Sequence, residues 1–185
     1  MPDRDPAVAA LLDRAEITEC LHRYTRGMDR CDRDLARSAY HDGAIDDHAG
    51  LVADVEAFLD WALEYHSHQV RHQHYLSNIT IDLGPGPGTE AGGDADEAHV
   101  ESYYTFVGSY PDESRPVDVV GGRYVDRFER RDGRWAIAVR VCTTEWRTRL
   151  TSGLSSRAAE VLAFGVVDDT SDISYMRPLE ITRLR

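Results

Sequence analysis

Residues 121–140, GGRYVDRFERRDGRWAIAVR, contain the pattern that decides the fold. Asp132 and Gly133 lie between two runs rich in β-formers, and Asp-Gly is a strong signal for the tight turn of a β-hairpin. Gly121 and Gly122 lie within the first run, where adjacent glycines indicate a bulge or a sharp bend. The stretch therefore predicts two long antiparallel strands, over 117–131 and 134–150, the first of them bent.

The segments before this hairpin complete an α+β pattern. Residues 72–83 and 98–110 are typical of long strands, and the polar, Gly/Pro-rich segment between them is typical of a loop. Upstream, apolar residues recur at helical spacing over 7–28 and 53–68, and a short helix over 34–41 follows a capping residue, Asp32. Helices that precede an antiparallel sheet favour packing on one face of it, and a strongly bent sheet would enclose a pocket.

Composition narrows the classes of function. The 185 residues are 42% hydrophobic and 29% charged, with a net charge of −12, which disfavours binding to nucleic acids and anionic membranes. No apolar run approaches the length of a transmembrane helix, and the N-terminal residues lack a signal-peptide pattern. The three scattered cysteines fit reduced thiols, so we expect a cytoplasmic protein.

The sequence contains no lysine, because all 21 of its Lys and Arg residues are arginine. Schiff-base catalysis and covalently held pyridoxal phosphate therefore have no anchor. A phosphate-binding loop of the type GxxxxGK[ST] is excluded for the same reason.

Four histidines fall within nine residues, HSHQVRHQH, and three interpretations are open for them. His72 and His74 share one face of the predicted strand, whereas His66 and His68 lie where a helix ends and diverge. A metal site needs about three converging ligands, and no supporting ligand motif is present. The remaining interpretations are a structural histidine and a catalytic base, the latter only if an acid orients it.

The predicted last strand has two unlike faces. One face is large and apolar, with Trp135, Ile137, Val139 and Val141. The other consists of Ala136, Ala138, Arg140 and Cys142. If this second face lines the pocket, its small residues leave room and place one cation, Arg140, inside it; the alternative is a solvent-exposed face with a surface arginine.

The end of the first helix carries a tyrosine and an aspartate five residues apart, Tyr24 and Asp29. Leu21 and Met28 indicate that this face is partly buried, so a carboxylate here would be desolvated and would need a partner. A capping or turn role is the alternative for Asp29.

Taken in order, these segments resemble the SnoaL-like branch of the nuclear transport factor 2-like superfamily. The resemblance runs from about Val8 to about Trp146 and is carried by AEITECLHRYTRGMDRCD, YHDGAIDDHAG, HQHYLSNI and the 121–140 hairpin. It implies a cone-shaped, curved antiparallel sheet with three N-terminal helices that enclose a pocket, a cystatin-like α+β barrel. This domain would span residues 1–150, and 151–185 would be an extension covering the pocket or a subunit interface.

Within this branch the sequence is most similar to bile acid 7α-dehydratases and hexachlorocyclohexane dehydrochlorinases, with scytalone dehydratases more distant. These are cofactor-free lyases with an Asp-His dyad. The resemblance places the dyad on Asp29 and His74, the strand arginine on Arg140 and the pocket tyrosine on Tyr24. The dehydrochlorinases depart at that tyrosine and carry a lysine in this helix, so the dehydratase pattern is matched better.

The resemblance thus implies β-elimination of water from a hydrophobic cyclic molecule, without metal or cofactor. His74 would remove a proton beside a carbonyl while Asp29 orients it, and Tyr24 and Arg140 would stabilise developing negative charge. The alternatives are dehydrohalogenation, proton transfer of the ketosteroid-isomerase or cyclase type, and non-catalytic binding of a small molecule, since a shared fold does not fix a reaction.

Further residues complete the predicted site and its assembly. His72 shares the strand face of the dyad and is a candidate pocket residue. Phe58, Trp61 and Tyr103 are candidate walls for a ring-shaped substrate. The apolar segment SSRAAEVLAFGVV needs burial, which predicts a homo-oligomer, a trimer or a dimer.

Overall fold

The computed structural model of the protein describes residues 5–48, 50–84, 96–112, 114–150, 169–175 and 177. Its helices are α1 (Pro6–Asp29), α2 (Arg33–Arg37) and α3 (Val55–Ser67). Its strands are β1 (Tyr40–His48), β2 (Leu51–Asp54), β3 (Arg71–Leu83), β4 (Glu97–Ser109), β5 (Val117–Arg131) and β6 (Arg134–Leu150). The three predicted N-terminal helices and the four predicted long strands form, and the predicted α+β class is confirmed.

The six strands form one open, curved sheet in the order β2-β1-β6-β5-β4-β3. Strands β3 to β6 pair antiparallel with their sequence neighbours, as hairpin-connected strands do. One pairing departs from the predicted antiparallel sheet, because β1 pairs parallel with β6. Between β1 and β3 the chain forms β2 and α3. In the sheet β1 lies beside β6, so the first and the last strands of the chain are neighbours.

Each α-helix begins at an aspartate that satisfies a free backbone N–H of the first turn. The carboxylate of Asp5 accepts from Ala7 N at 2.8 Å, and that of Asp54 accepts from Ala57 N at 2.9 Å. Asp32 accepts from Leu35 N at 3.0 Å, which confirms the predicted cap of the short helix. Such caps stabilise a helix by about 0.5–2 kcal/mol each and fix where the helices start.

The predicted bend in β5 is confirmed at Gly121 and Gly122, where the β5–β6 register shifts. A Cβ atom on Gly122 would lie 1.8 Å from the carbonyl oxygen of Thr143, and one on Gly121 would lie 2.2 Å from the Trp146 ring. The two strands approach so closely here that only glycine fits. The bend curves the sheet around the space under α1 and α3.

A second register shift changes which face of β6 is inside. Arg127 pairs with Val139 and Phe128 pairs with Ile137, so Ala138 is an extra residue in β6. Before this bulge Trp135 and Ile137 belong to the core, and after it Arg140 and Cys142 are the buried residues. The two-face interpretation of β6 was therefore wrong in assuming one uninterrupted alternation.

Part of the C-terminal segment docks on the end of α1. The backbone carbonyl of Ser174 accepts from Arg26 at 3.0 Å, and the hydroxyl of Tyr175 donates to Asp32 at 2.7 Å. The pattern SSRAAEVLAF predicts a short helix over 155–164, and this helix and the apolar segment of the extension lie outside the described residues. None of the helices that the structure describes is long and apolar enough to cross a membrane.

Candidate active site

A cavity of about 140 Å³ lies between the curved sheet and the helices α1 and α3. Seven of its fifteen lining residues are Phe, Tyr or Trp, and three histidines, one cysteine and one threonine add further polar groups. The lining residues are Tyr24, Met28, His48, Phe58, Trp61, Ala62, Tyr65, His66, His74, Tyr104, Phe106, Val120, Tyr124, Cys142 and Thr144. An aromatic wall with a few polar groups is typical of a pocket for a small organic molecule.

The structure brings Asp29 and His74 together across 45 positions of the sequence. His74 Nδ1 donates to Asp29 Oδ1 at 2.6 Å, and the backbone N–H of His74 donates to the same carboxylate at 3.0 and 3.1 Å. The carboxylate at the end of α1 thus holds both the ring and the backbone of the histidine. With Nδ1 bonded, Nε2 is the ring nitrogen left to meet a ligand in the cavity.

His72 does not line the cavity, although it shares a strand face with His74. It is buried and donates from Nε2 to the backbone carbonyl of Met28 at 2.9 Å. Because Met28 precedes Asp29, this bond fixes the end of α1 beside β3. His72, which the sequence predicted to be a pocket residue, therefore lies behind the Asp29–His74 pair and supports it.

His66 is a cavity histidine that sequence analysis did not select. Its ring stacks on His72 with centroids 4.2 Å apart and meets His74 edge-on at 5.4 Å. Its Nδ1 donates to the side-chain oxygen of Gln69 at 3.0 Å. Burial, with the neighbouring histidines as the next cause, lowers the pKa of His66 to about 2, so this ring stays neutral.

Arg140 lies behind the cavity wall, not in it. The guanidinium has no solvent exposure and forms two parallel hydrogen bonds to Asp126, both at 2.7 Å. It is sandwiched between the rings of Tyr24 and Tyr124, each 4.2 Å from its central carbon. Burial opposes the charge, but the attraction of Asp126 outweighs it and holds the pKa of Arg140 well above its usual range.

Tyr24 separates this arginine from the cavity. Its side chain lines the cavity and is almost fully buried, and burial raises the pKa of its hydroxyl while Arg140 opposes that rise. A neutral phenol beside a guanidinium is a polarised hydrogen-bond donor. Arg140 can therefore act on a ligand only through Tyr24 or through its electrostatic field.

Two of the three predicted walls line the cavity. Phe58 is fully buried, whereas Trp61 is 44% exposed and stacks on Tyr65 with centroids 6.3 Å apart, so this pair forms the mouth. Tyr103 is 39% exposed and lies outside the cavity lining. The neighbouring Tyr104 takes the expected place, because alternate residues of a strand face opposite sides.

The structure also places a second histidine–aspartate pair at this cavity. His48 lines the wall and its Nδ1 donates to Asp46 Oδ1 at 3.2 Å. The other carboxylate oxygen of Asp46 accepts from the Tyr40 hydroxyl at 2.7 Å, and Asp46 has no solvent exposure. The Asp-x-His spacing in a strand is the signal that could have identified this pair, since residues two apart share a face.

Among the residues that the structure describes, no three His, Cys, Asp or Glu side chains converge in a way that could hold a metal ion. The three histidines of the cavity instead bond to two aspartates and one side-chain amide. The arrangement offers proton transfer at two imidazoles and hydrogen bonding from a tyrosine.

The SnoaL-like domain family profile matches residues 9–141, most of the chain. Among solved structures, a scytalone dehydratase-like protein from Novosphingobium aromaticivorans is similar, with 18% identity, a TM-score of 0.66 and coverage of 81% of this chain and 99% of that one. A type 2 hexachlorocyclohexane dehydrochlorinase has 20% identity and a TM-score of 0.67, with coverage of 80% and 95% respectively.

A third similar structure is a protein of unknown function with a cystatin-like fold from Nostoc punctiforme. It has 20% identity and a TM-score of 0.57, and the match covers 72% of this chain and 92% of that one. At these identities the likeness shows the shared fold alone. No curated protein sequence matches the chain.

Proposed function

Because the chain belongs to the SnoaL-like domain family, we propose that it is a cofactor-independent lyase that eliminates water from a cyclic, largely apolar molecule. His74 is the general base, and it removes a proton from the carbon next to a carbonyl. Asp29 keeps His74 in the tautomer that leaves Nε2 free and stabilises the imidazolium once it forms.

The bond between His74 and Asp29 is the observation that carries this proposal. An acid 2.6 Å from Nδ1 on a cavity-lining histidine is an arrangement that proton transfer requires and that binding alone does not. The carboxylate is also fixed by the backbone N–H of His74, so the ring is oriented before any ligand arrives. Preorganisation of this kind lowers the cost of reaching the transition state.

Tyr24 supplies the stabilisation of negative charge that such a reaction needs. Its phenol lines the cavity and is polarised by Arg140, so it donates a hydrogen bond to the enolate oxygen as charge develops there. Arg140 is in this account a positioning residue, because it is bonded to Asp126 and lies behind the ring of Tyr24. Its field favours the enolate without contact with the substrate.

The volume of the cavity limits the enclosed part of the substrate to a single ring. About 140 Å³ is close to the cavity of about 150 Å³ that takes up a benzene molecule in an engineered protein. Trp61 and Tyr65 at the mouth provide flat surfaces for any part of the substrate that projects outward. We propose a monocyclic β-hydroxy ketone unit as the reacting part.

The names of two similar structures agree with this reaction class. One is called a dehydratase and the other a dehydrochlorinase, and both names denote eliminations. The presence of Tyr24 and the absence of lysine favour the first of these for this chain. A homo-oligomer, a trimer or a dimer, and a cytoplasmic location remain predictions beside this proposal.

The test follows α-proton exchange by NMR in D₂O and loss of water by absorbance, with monocyclic β-hydroxy ketones as substrates. We expect His74→Gln and Asp29→Asn to lower both rates about 10²–10⁴-fold, the usual contribution of a general base. The matched controls are His99→Gln, an exposed strand histidine, and Asp34→Asn, an exposed helix aspartate. Both controls should behave as the wild type does.

Three outcomes would contradict the proposal. Folded wild-type protein that binds the ketones but exchanges no α-proton would be a binding protein instead. Exchange that persists in His74→Gln would assign the base to another residue. Exchange without loss of water would make the protein an isomerase-type catalyst.

A further inference from the structure

Two imidazoles from strands near opposite edges of the sheet line one cavity. His74 lies on β3, the edge strand, and His48 lies on β1, the second strand from the other edge. Only the curvature of the sheet brings them to the same space. The proposed mechanism uses His74 and gives His48 no role.

His48 is also held by an aspartate that is itself fixed. Asp46 bonds its Nδ1 at 3.2 Å and is itself fixed by the Tyr40 hydroxyl at 2.7 Å. The imidazole stacks on Phe58 with centroids 5.0 Å apart, which sets the plane of the ring. With Asp46 on Nδ1, Nε2 is the nitrogen available to a ligand.

The buried charges around this pair favour the protonated ring. Asp46 and Asp126 are two buried carboxylates, and Arg140 is bonded to only one of them. A second cation is needed to compensate the charge of the other carboxylate, Asp46, and His48 is the base bonded to it. Buried charges without compensation are costly, so the imidazolium is the favoured state.

The surroundings of the ring bear on its titration. On its own strand β1, the ring faces Asp46, which in turn bonds Tyr40. The titratable groups that face it from other elements are Cys142 on β6, Tyr124 on β5 and His66 on α3. Burial opposes the charge, but the hydrogen bond to Asp46, with the neighbouring Cys142 as a further cause, outweighs it and raises the pKa of His48 to about 9. His66 stays neutral and adds no competing charge near neutral pH.

We propose that His48 is the general acid of the elimination and protonates the departing hydroxyl group. This inference rests on the proposed function. His74 Nε2 takes the α-proton, and the electrons of that C–H bond form the enolate that Tyr24 stabilises. The enolate then re-forms the carbonyl and its electrons form the new C=C bond, while the C–O bond breaks as its oxygen receives the proton from His48 Nε2. Enone and water leave, and His74 is left protonated while His48 is neutral.

The cycle closes when His74 releases its proton and His48 takes one up, both through water that enters the opened cavity. No oxidant, metal or cofactor is needed, because one proton leaves carbon and one joins the hydroxyl. These two roles also indicate which leaving group the site suits. Hydroxide is a poor leaving group and needs a proton from His48, whereas chloride leaves without one.

The experiment compares two matched substrates, a monocyclic β-hydroxy ketone and its β-chloro counterpart, with uncatalysed elimination subtracted. In His48→Gln we expect loss of water to fall about 10²–10⁴-fold, as removal of a general acid does. Loss of chloride should fall by less than about tenfold, because no proton is required at the leaving group. In His74→Gln both reactions should fall together, since both begin at the α-proton.

The controls separate this inference from the proposed function. His68→Gln, an exposed histidine outside the cavity lining, should match the wild type. The ratio of water loss to α-proton exchange in wild type and His48→Gln is a second readout that a purely structural role would leave unchanged. Thermal unfolding of His48→Gln shows whether the variant is folded.

Each result decides one of the two proposals. An unchanged ratio, or equal losses with both leaving groups, would overturn the role of His48 and leave that of His74. Wild-type protein that exchanges the α-proton but never loses water would also overturn it. Wild-type protein that exchanges nothing would overturn the proposed function and this inference with it.

Discussion

The two histidine–aspartate pairs of the cavity use the same groups in different surroundings. In the first pair, Asp29 at the end of α1 meets His74 across 45 positions and is also bonded by the backbone of β3. In the second, Asp46 and His48 are two residues apart on one strand, and Asp46 is fully buried beside another buried carboxylate, Asp126. The first pair thus joins a helix to the sheet, and the second belongs to a buried charge cluster.

This difference is the basis for the two roles proposed for the pairs. A carboxylate that backbone N–H groups also satisfy orients a neutral imidazole well. A carboxylate buried among other charges favours a cationic partner, because the charges compensate each other. Under the two proposals, one cavity holds a base and an acid, as enzymes that remove one proton and donate another require. Three experiments on the pairs and their surroundings test this division.

The largest expected effect comes from breaking the buried ion pair beside Asp46. Asp126→Asn leaves Arg140 fully buried without its countercharge, and arginine cannot release its proton. We expect the free energy of unfolding to fall by about 3–5 kcal/mol, measured by urea denaturation. Asp34→Asn, an exposed control, should change it by less than about 0.5 kcal/mol.

A loss below about 1 kcal/mol in Asp126→Asn would mean that the cluster tolerates an unpaired cation. The argument that His48 compensates Asp46 would then lose its basis.

A smaller effect separates the two aspartates of the histidine pairs. Asp46→Asn should lower the free energy of unfolding by about 1–3 kcal/mol, because Asp46 is fully buried and bonds both His48 and Tyr40. The cost stays below that of the arginine pair because His48 can release its proton. Asp29→Asn should cost about 1 kcal/mol or less, since asparagine still accepts the backbone N–H of His74.

The measurement is urea unfolding of the two variants side by side, with NMR titration of His48. The pKa of His48 should fall in Asp46→Asn and stay unchanged in Asp29→Asn. Equal stability losses and an unmoved titration would show that the two pairs are equivalent, and the comparison would fail.

The third effect is the pH dependence of stability, to which two cavity histidines contribute with opposite sign. The pKa of His48 is raised to about 9, so its contribution is complete below pH 6.5 and is lost as pH rises through 9. The pKa of His66 is lowered to about 2, so below pH 6.5 the unfolded chain binds a proton at this residue and the folded protein does not. Stability is therefore lost as pH falls below 6.5. Stability should therefore decline on both sides of about pH 6.5.

Each histidine contributes a slope of at most about 1.4 kcal/mol per pH unit. Urea unfolding at pH 5, 6.5 and 9 would show it. His48→Gln should flatten the alkaline side and His66→Gln the acidic side. A variant that alters the opposite side would contradict the assigned protonation states.

Local patterns in the sequence predicted most of the fold. The Asp-Gly turn, the paired glycines and the helical spacing of apolar residues each depend on near neighbours in the chain, so the α+β class and the bend followed from them. The parallel pairing of β1 with β6 did not follow, because it joins distant segments. The bulge at Ala138 was also missed, since an extra residue in a strand leaves little trace in composition.

The site was predicted in part, and the misses have physical causes. The resemblance of the sequence to a family indicated Asp29 and His74, which no local rule could pair. The expectation that Arg140 and His72 face the cavity followed from strand alternation, but the two residues are bonded to groups behind the wall. His48 was missed although its Asp-x-His spacing was visible, because only the curvature of the sheet makes it a cavity residue.

The sequence by itself determined the element order, the caps, the bend and the absence of lysine chemistry, because these depend on residue type and on neighbours along the chain. The tertiary structure decided which histidines meet the cavity, which arginine is neutralised, and which aspartate is buried. Those properties depend on distances between segments far apart in sequence and on the exclusion of water around them. The protonation of a side chain follows from its surroundings, and only the folded chain supplies those.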